Sequence, residues 1–253
     1  MKVAILSMQE VKNYGSFLQA FSLKKTIESL GNTCEFINII PGEQLGNYKI
    51  SKFHKIKLLI QRLWGRDFIR RLSSIYIFQT RFSKEFLPYL GVESERNIRH
   101  YDVIVIGSDE VFNCAQKTWF GFSRQLFGEG LNADKIITYA ASFGATTVDK
   151  LQELGIKIVG RLLGNISVIS VRDANSSITV KTLIGKVPVM HLDPVLIFNY
   201  DLFMPSNVTL KNYMIVYTYP GRITDKQEIQ SIKDFAKSHR LKLISIGHYF
   251  SWC

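Results

Sequence analysis

A chain of 253 residues, 46% hydrophobic and 21% charged, is long enough to bury a sizeable core and too apolar to be disordered. Cys34, Cys114 and Cys253 form no CxxC pair and the histidines show no HExxH spacing, so neither a disulfide framework nor a metal centre is implied, and a reducing cytoplasm suits the chain. No run approaches the length of a membrane span, and the net charge of +11 is concentrated in one region.

The opening "KVAILSM" is too short for a signal-peptide core and reads as a first strand. A loop carrying Asn13, Tyr14, Gly15 and Ser16 follows, then a helix from Leu18 that Gly31 ends, then the strand "TCEFINI". Such a β-loop-α-β unit predicts a parallel sheet with helices on its faces. Residues 41–57 read as a loop. A basic amphipathic helical region then covers about 55–90. Between Lys49 and Lys84 it holds Lys52, Lys55, Lys57, Arg62, Arg66, Arg70, Arg71 and Arg81 against the single acid Asp67. Such a stripe attracts nucleic acid, anionic lipid or a phosphorylated substrate, or is a solvated helix face. Nucleic acid fits worst, because Phe53, Leu58, Trp64 and Phe68 suit a buried stripe better than stacking platforms.

Further on come the strands "YDVIVIG" and "KIITYAASFG", a helical run "TTVDKLQELGIKIVGRLLGNIS", the strand "VISVRD", a helix "SSITVKTLIGK", and a short strand with a Pro turn in "VPVMHLDPVLIF". A strand (213–219), a helix (about 224–239) and a strand (241–246) open a second α/β unit. Near-continuous Val/Ile strands are the mark of sheets covered on both faces, where ligands bind past the carboxyl ends of the strands. Gly107-Ser108-Asp109-Glu110, Ser142-Phe143-Gly144, Arg172-Asp173 and Asp193-Pro194 all follow strand ends, so a parallel sheet would gather them on one rim. Arg172 offers a planar fork for a carboxylate or phosphate, or else pairs with Asp173 in its own turn. The loop before the first helix offers N–H groups to an anion or a sugar hydroxyl, or is an ordinary N-cap. Neither a Walker A loop, a GxGxxG fingerprint nor a GxSxG elbow is present, and no cofactor is implied.

As an ordered set, "NYGSFLQAFSLKKTIESLG", "FSKEFLPYL", "YDVIVIGSDEVFN", "TYAASFGA", "ISVRDANS", "LDPVLIF" and "YMIVYTYP" resemble the polysaccharide pyruvyl transferase family over essentially the whole chain. The resemblance implies an α/β fold with a Rossmann-like parallel sheet and a glycosyltransferase-B-like architecture. It places the first domain at 1–208, with the basic helical insertion at about 50–90. Residues 209–253 begin a second domain that is incomplete, because the family's Ser-Phe-His-Gly-like motif has no counterpart here. The implied activity is transfer of pyruvate from phosphoenolpyruvate to two hydroxyls of a sugar, as a ketal. The acceptor is a surface polysaccharide such as a capsule or exopolysaccharide, or its lipid-linked precursor.

Set against that reaction, Asp109 and Arg172 are the catalytic candidates. Asn13, Tyr14, Gly15, Gln19, Gly107, Ser108, Glu110, Asn113, Ser142 and Asp193 are the substrate-binding candidates. Glu110 stands where the family more often has Gln, and Phe112 where it more often has Trp; either change is expected to alter acceptor choice. The expected location is the cytoplasm, with the inner face of the membrane as an option through the basic 49–84 region as a peripheral contact. The alternatives are a glycosyltransferase-type enzyme with a nucleotide-sugar donor and an inactive or partner-dependent family member.

Overall fold

The apolar runs become parallel strands. In the computed structural model, which describes residues 1–46, 68–92, 99–116, 118–204, 207, 209–219 and 221–253, strand β1 (Lys2–Leu6) is flanked on both sides. It pairs in parallel with β2 (Thr33–Phe36) and β3 (Tyr101–Ile106), and β3 pairs in parallel with β4 (Ala133–Thr138). The order β2-β1-β3-β4 explains the composition. Central β1 and β3 must be apolar on both faces, and Ile5, Leu6, Ile104 and Ile106 are fully buried, whereas edge strand β2 buries only Phe36.

The chain divides into two compact units, Met1–Lys49 with Glu85–Phe198, and Ile50–Lys84 with Asn199–Cys253. The first holds this sheet. A two-residue strand β5 (Ser170–Val171), parallel to β6 (Val189–Met190), continues it through isolated bridges from Ile137 to Val168 and from Ala141 to Val171. Phe112 is fully buried here, with its ring 4.9 Å from Phe127 and 5.2 Å from Phe143. The residue at this position therefore bears directly on core packing.

The helices mostly follow the predicted pattern. Helix α1 (Tyr14–Ser29) starts four residues before the expected Leu18, because Asn13 caps it. The predicted helical run at 146–167 is broken into α4 (Val148–Leu154) and α5 (Ile156–Leu163) at Gly155, whose φ of 133° no helix accommodates. Of the expected basic helix, residues 55–67 lie outside the described residues. The remainder is α2 (Phe68–Arg81), a π-helical stretch (Phe82–Phe86) and α3 (Leu87–Leu90). Helix α6 (Ala174–Ile184) follows β5, and the short α7 (Pro194–Ile197) follows β6.

The second unit contains α2 and a parallel β-α-β element: β7 (Tyr213–Val216), α8 (Lys226–Ser238) and β8 (Lys242–Ser245). Asp225 caps α8 by accepting from the N–H groups of Gln227 and Glu228. Among the described residues, no helix is long and apolar enough to cross a membrane.

Candidate functional site

In the order β2-β1-β3-β4 the chain winds outward in opposite directions from β1 and β3, so the loops beyond β1 and β3 diverge and leave a crevice. The predicted polar clusters meet there. Arg172, one residue past β5, donates from Nη1 to Asp193 Oδ2 at 2.5 Å, and its Nη2 lies 3.5 Å from Asp109 Oδ1. Gln19, from α1, donates to the same Asp193 oxygen at 2.5 Å. Ser16 Oγ, also from α1, donates to Asp109 Oδ2 at 2.6 Å. Three strand ends and one helix thus converge on a single guanidinium.

The alternative pairing of Arg172 with Asp173 does not occur. Asp173 is the N-cap of α6, accepting from Ser176 N at 2.8 Å, and its other oxygen takes the hydroxyls of Ser142 (2.7 Å) and Ser176 (2.9 Å). Only the Asp193 contact of Arg172 has hydrogen-bond geometry. Among the described residues, most of its guanidinium N–H donors make no other hydrogen bond. Asp193 is committed to support: besides Arg172 and Gln19 it accepts from Val195 N at 3.0 Å, capping α7.

Asp109 has a φ of 80°, an unfavourable conformation for a side-chain-bearing residue that Asp tolerates better than most. Its Oδ1 accepts from Glu110 N at 2.8 Å, which closes the turn. Gly107 is needed next door, since a Cβ there would strike the carbonyl oxygen of Tyr139. Among the described residues, Ser108 Oγ and Gln19 Oε1 are buried here without a hydrogen-bond partner. The second follows from charge, because the Asp193 carboxylate only accepts and so turns the amide nitrogen of Gln19 toward itself.

The other candidates have defined places. Exposed Glu110 accepts from Asn113 Nδ2 at 2.6 Å, and Asn113 Oδ1 takes the hydroxyl of Thr146 at 2.6 Å. Ser142 Oγ accepts from Gly144 N at 2.9 Å while donating to Asp173. Asn13 Oδ1 accepts from the N–H groups of Gly15 (2.7 Å) and Ser16 (3.2 Å), so those donors serve the cap and not a ligand. A side chain on Gly15 would bring its Cβ to 3.0 Å from Asn13 Oδ1. Tyr14 packs edge-on against Phe86 at 5.3 Å.

Residues that the sequence did not single out complete the rim. His191 Nδ1 lies 2.9 Å from Ser170 Oγ, and its ring stacks on Tyr139 at 5.2 Å and 18°. Burial, with a smaller contribution from the Asp193 charge, raises the pKa of the Tyr139 phenol, so it stays a hydrogen-bond donor. Tyr139 falls within the stretch "TYAASFGA" without standing out in it, and His191 directly precedes "LDPVLIF". The register that sets β6 beside β5 brings His191 beside Ser170, and Tyr139 meets it from the end of β4.

Arg172 on a parallel-sheet rim, held by two carboxylates, gives this α/β fold a polar cluster at the place where such sheets bind ligands. The family model for polysaccharide pyruvyl transferase matches residues 13–251, and the chain belongs to that family. Because the match runs almost to the last residue, it conflicts with the expectation that residues 209–253 open an incomplete domain, and that expectation is withdrawn. No curated protein and no solved structure matches the chain.

Proposed function

We propose that the protein transfers pyruvate from phosphoenolpyruvate to two hydroxyls of one sugar, forming a ketal on a surface polysaccharide or its lipid-linked precursor. The family membership points to pyruvyl transfer to a polysaccharide, and the Arg172 arrangement is the observation that carries the donor assignment. A glycosyltransferase-B-like architecture and work in the cytoplasm at the inner membrane face belong to the same reading.

In this reaction the donor's methylene carbon takes a proton and the neighbouring carbon becomes electrophilic. Two sugar hydroxyls each form a C–O bond to that carbon and give up a proton. The C–O bond to phosphorus-bearing oxygen breaks, and inorganic phosphate leaves. Arg172 holds the donor carboxylate or phosphate through its unused N–H donors. Asp109, pinned beside it by Ser16, or exposed Glu110 handles the proton of the acceptor. Gln19 and Asp193 keep the guanidinium from swinging away.

Calorimetric titration with phosphoenolpyruvate tests the donor. The wild-type protein is expected to bind it, Arg172→Lys to bind it more weakly, and Arg172→Met to lose at least about tenfold in affinity, since a charged bidentate contact is removed. Unfolding curves establish that both variants fold. Binding of a nucleotide sugar in place of phosphoenolpyruvate, or equal binding by all three proteins, refutes the assignment.

A further inference from the structure

The hydrogen bonds around Ser170 decide where a neighbouring proton sits. The Ser170 side chain is buried, and its Oγ accepts from Ala140 N at 2.9 Å. Among the described residues, the only other hydrogen-bond partner of that oxygen is His191 Nδ1, at 2.9 Å. A buried hydroxyl keeps its own proton in a hydrogen bond where an acceptor is at hand. The Ser170 proton therefore goes to Nδ1, and the neutral imidazole carries its proton on Nε2. The two ring nitrogens diverge, so turning Nδ1 inward to Ser170 leaves Nε2 on the outer edge of an exposed residue. Tyr139, stacked on the ring at 5.2 Å and 18°, limits its rotation. The ring also lies on the Arg172 face. β5 and β6 pair Ser170 with Val189 and Val171 with Met190, and His191 N donates to Val171 O at 2.9 Å. Carried one residue further, that register sets His191 opposite Arg172. Residues two apart on a strand share a face, as Ser170 and Arg172 do. Asp193, two residues past His191, holds the guanidinium.

We propose that His191 is a substrate-binding residue: through Nε2–H it donates a hydrogen bond to an anionic oxygen of the ligand that Arg172 holds, and Ser170 is the positioning residue that sets its tautomer. The inference rests on the donor reading above, in which that oxygen belongs to the carboxylate or the phosphate of phosphoenolpyruvate. The tautomer matters because the opposite one would turn a lone pair toward the same oxygen and repel it. A second donor on a ring held by two neighbours fixes the orientation of an anion that a single guanidinium contact leaves free to turn.

Two measurements test this. Long-range proton–nitrogen correlation of the His191 ring at about pH 8, where an ordinary imidazole is neutral, should find the proton on Nε2. The Nε2 resonance should then move as phosphoenolpyruvate is added, a readout that needs no variant. A proton on Nδ1, or a resonance that stays put while the ligand binds, overturns the proposal. The second measurement is calorimetric titration with phosphoenolpyruvate. His191→Phe keeps a flat ring against Tyr139 without either nitrogen, whereas the amide N–H of His191→Gln reaches about as far as Nε2. His191→Phe is expected to lose at least about tenfold in affinity, and His191→Gln less than about threefold, with unfolding curves showing that both fold. Pyruvate and inorganic phosphate as separate probes name the end that His191 holds: the one that His191→Phe binds more weakly is the one contacted, and loss with neither overturns the contact. Equal binding of phosphoenolpyruvate by wild type and His191→Phe removes the role of His191 and leaves the donor reading standing. A wild-type protein that does not bind phosphoenolpyruvate refutes the donor reading, and the role of His191 with it.

Discussion

Substitution of Gly144 by Ala measures how tightly the loop after β4 is fitted to the Glu110 turn. Gly144 has a φ of 55°, and a Cβ placed there would lie 2.5 Å from the Glu110 carboxyl and 3.0 Å from Asn113 Nδ2. The left-handed backbone costs an alanine about 1–2 kcal/mol. Glu110 must also swing away and give up its 2.6 Å bond to Asn113, worth about 1 kcal/mol. Stiffening of the unfolded chain returns about 0.4–1 kcal/mol. The net expectation is a loss of about 1–2 kcal/mol in urea unfolding. The coupling is the sharper quantity, because backbone and unfolded-state contributions cancel in a double-mutant cycle. In a Glu110→Ala background neither the clash nor the bond remains, so Gly144→Ala should cost about 1 kcal/mol less there than in the wild type. Additivity to within about 0.3 kcal/mol would refute the contact reasoning, leaving the left-handed backbone as the whole effect.

Burial pushes the Cys114 thiol up to about 12, and burial with the nearby Glu28 charge does the same to Cys34 against a smaller opposing effect of Lys24. A folded value above the unfolded one near 9 means stability that is full below pH 9 and is lost as pH rises toward 12. Between those limits the wild type should lose about 1 kcal/mol per pH unit for each such thiol, and Cys114→Ala should show a shallower slope in denaturation at pH 9 to 11. Equal slopes would show that Cys114 does not titrate on unfolding. Asp173→Ala removes the α6 cap and strands the buried hydroxyls of Ser142 and Ser176, for an expected loss of about 3 kcal/mol. Asp173→Asn keeps an acceptor and the cap and should lose about 1 kcal/mol; equal losses in chemical denaturation would contradict these roles.

The sheet is legible in the sequence because its cause is local. Val3–Leu6 and Val103–Ile106 are uninterrupted apolar runs, and a strand covered on both faces needs that composition wherever it sits. The same argument locates the rim, since residues after a strand must lie at its carboxyl end once the sheet is parallel. Asp109, Ser142, Arg172 and Asp193 are found there. Helix ends are less legible. Asn13 is a candidate ligand contact and a candidate cap at once, and the two differ only in which way its oxygen turns. The break at Gly155 escapes the pattern because a glycine inside an apolar period costs little unless its φ is positive. The burial of Phe112 is hidden for a related reason: it follows a polar turn in sequence yet points into the core.

By itself, then, the order of residues determined the strands, most helices, the rim candidates and the family, all of which depend on periodicity, caps and motifs within a few residues. Partnership was decided by the tertiary structure. Ser16 and Asp109 are 93 positions apart, and Gln19 and Asp193 are 174 apart. Which of the available carboxylates takes Arg172 follows from strand order and register, and those are settled by packing of the whole sheet. The adjacent Asp173 loses it because α6 needs that side chain as its cap.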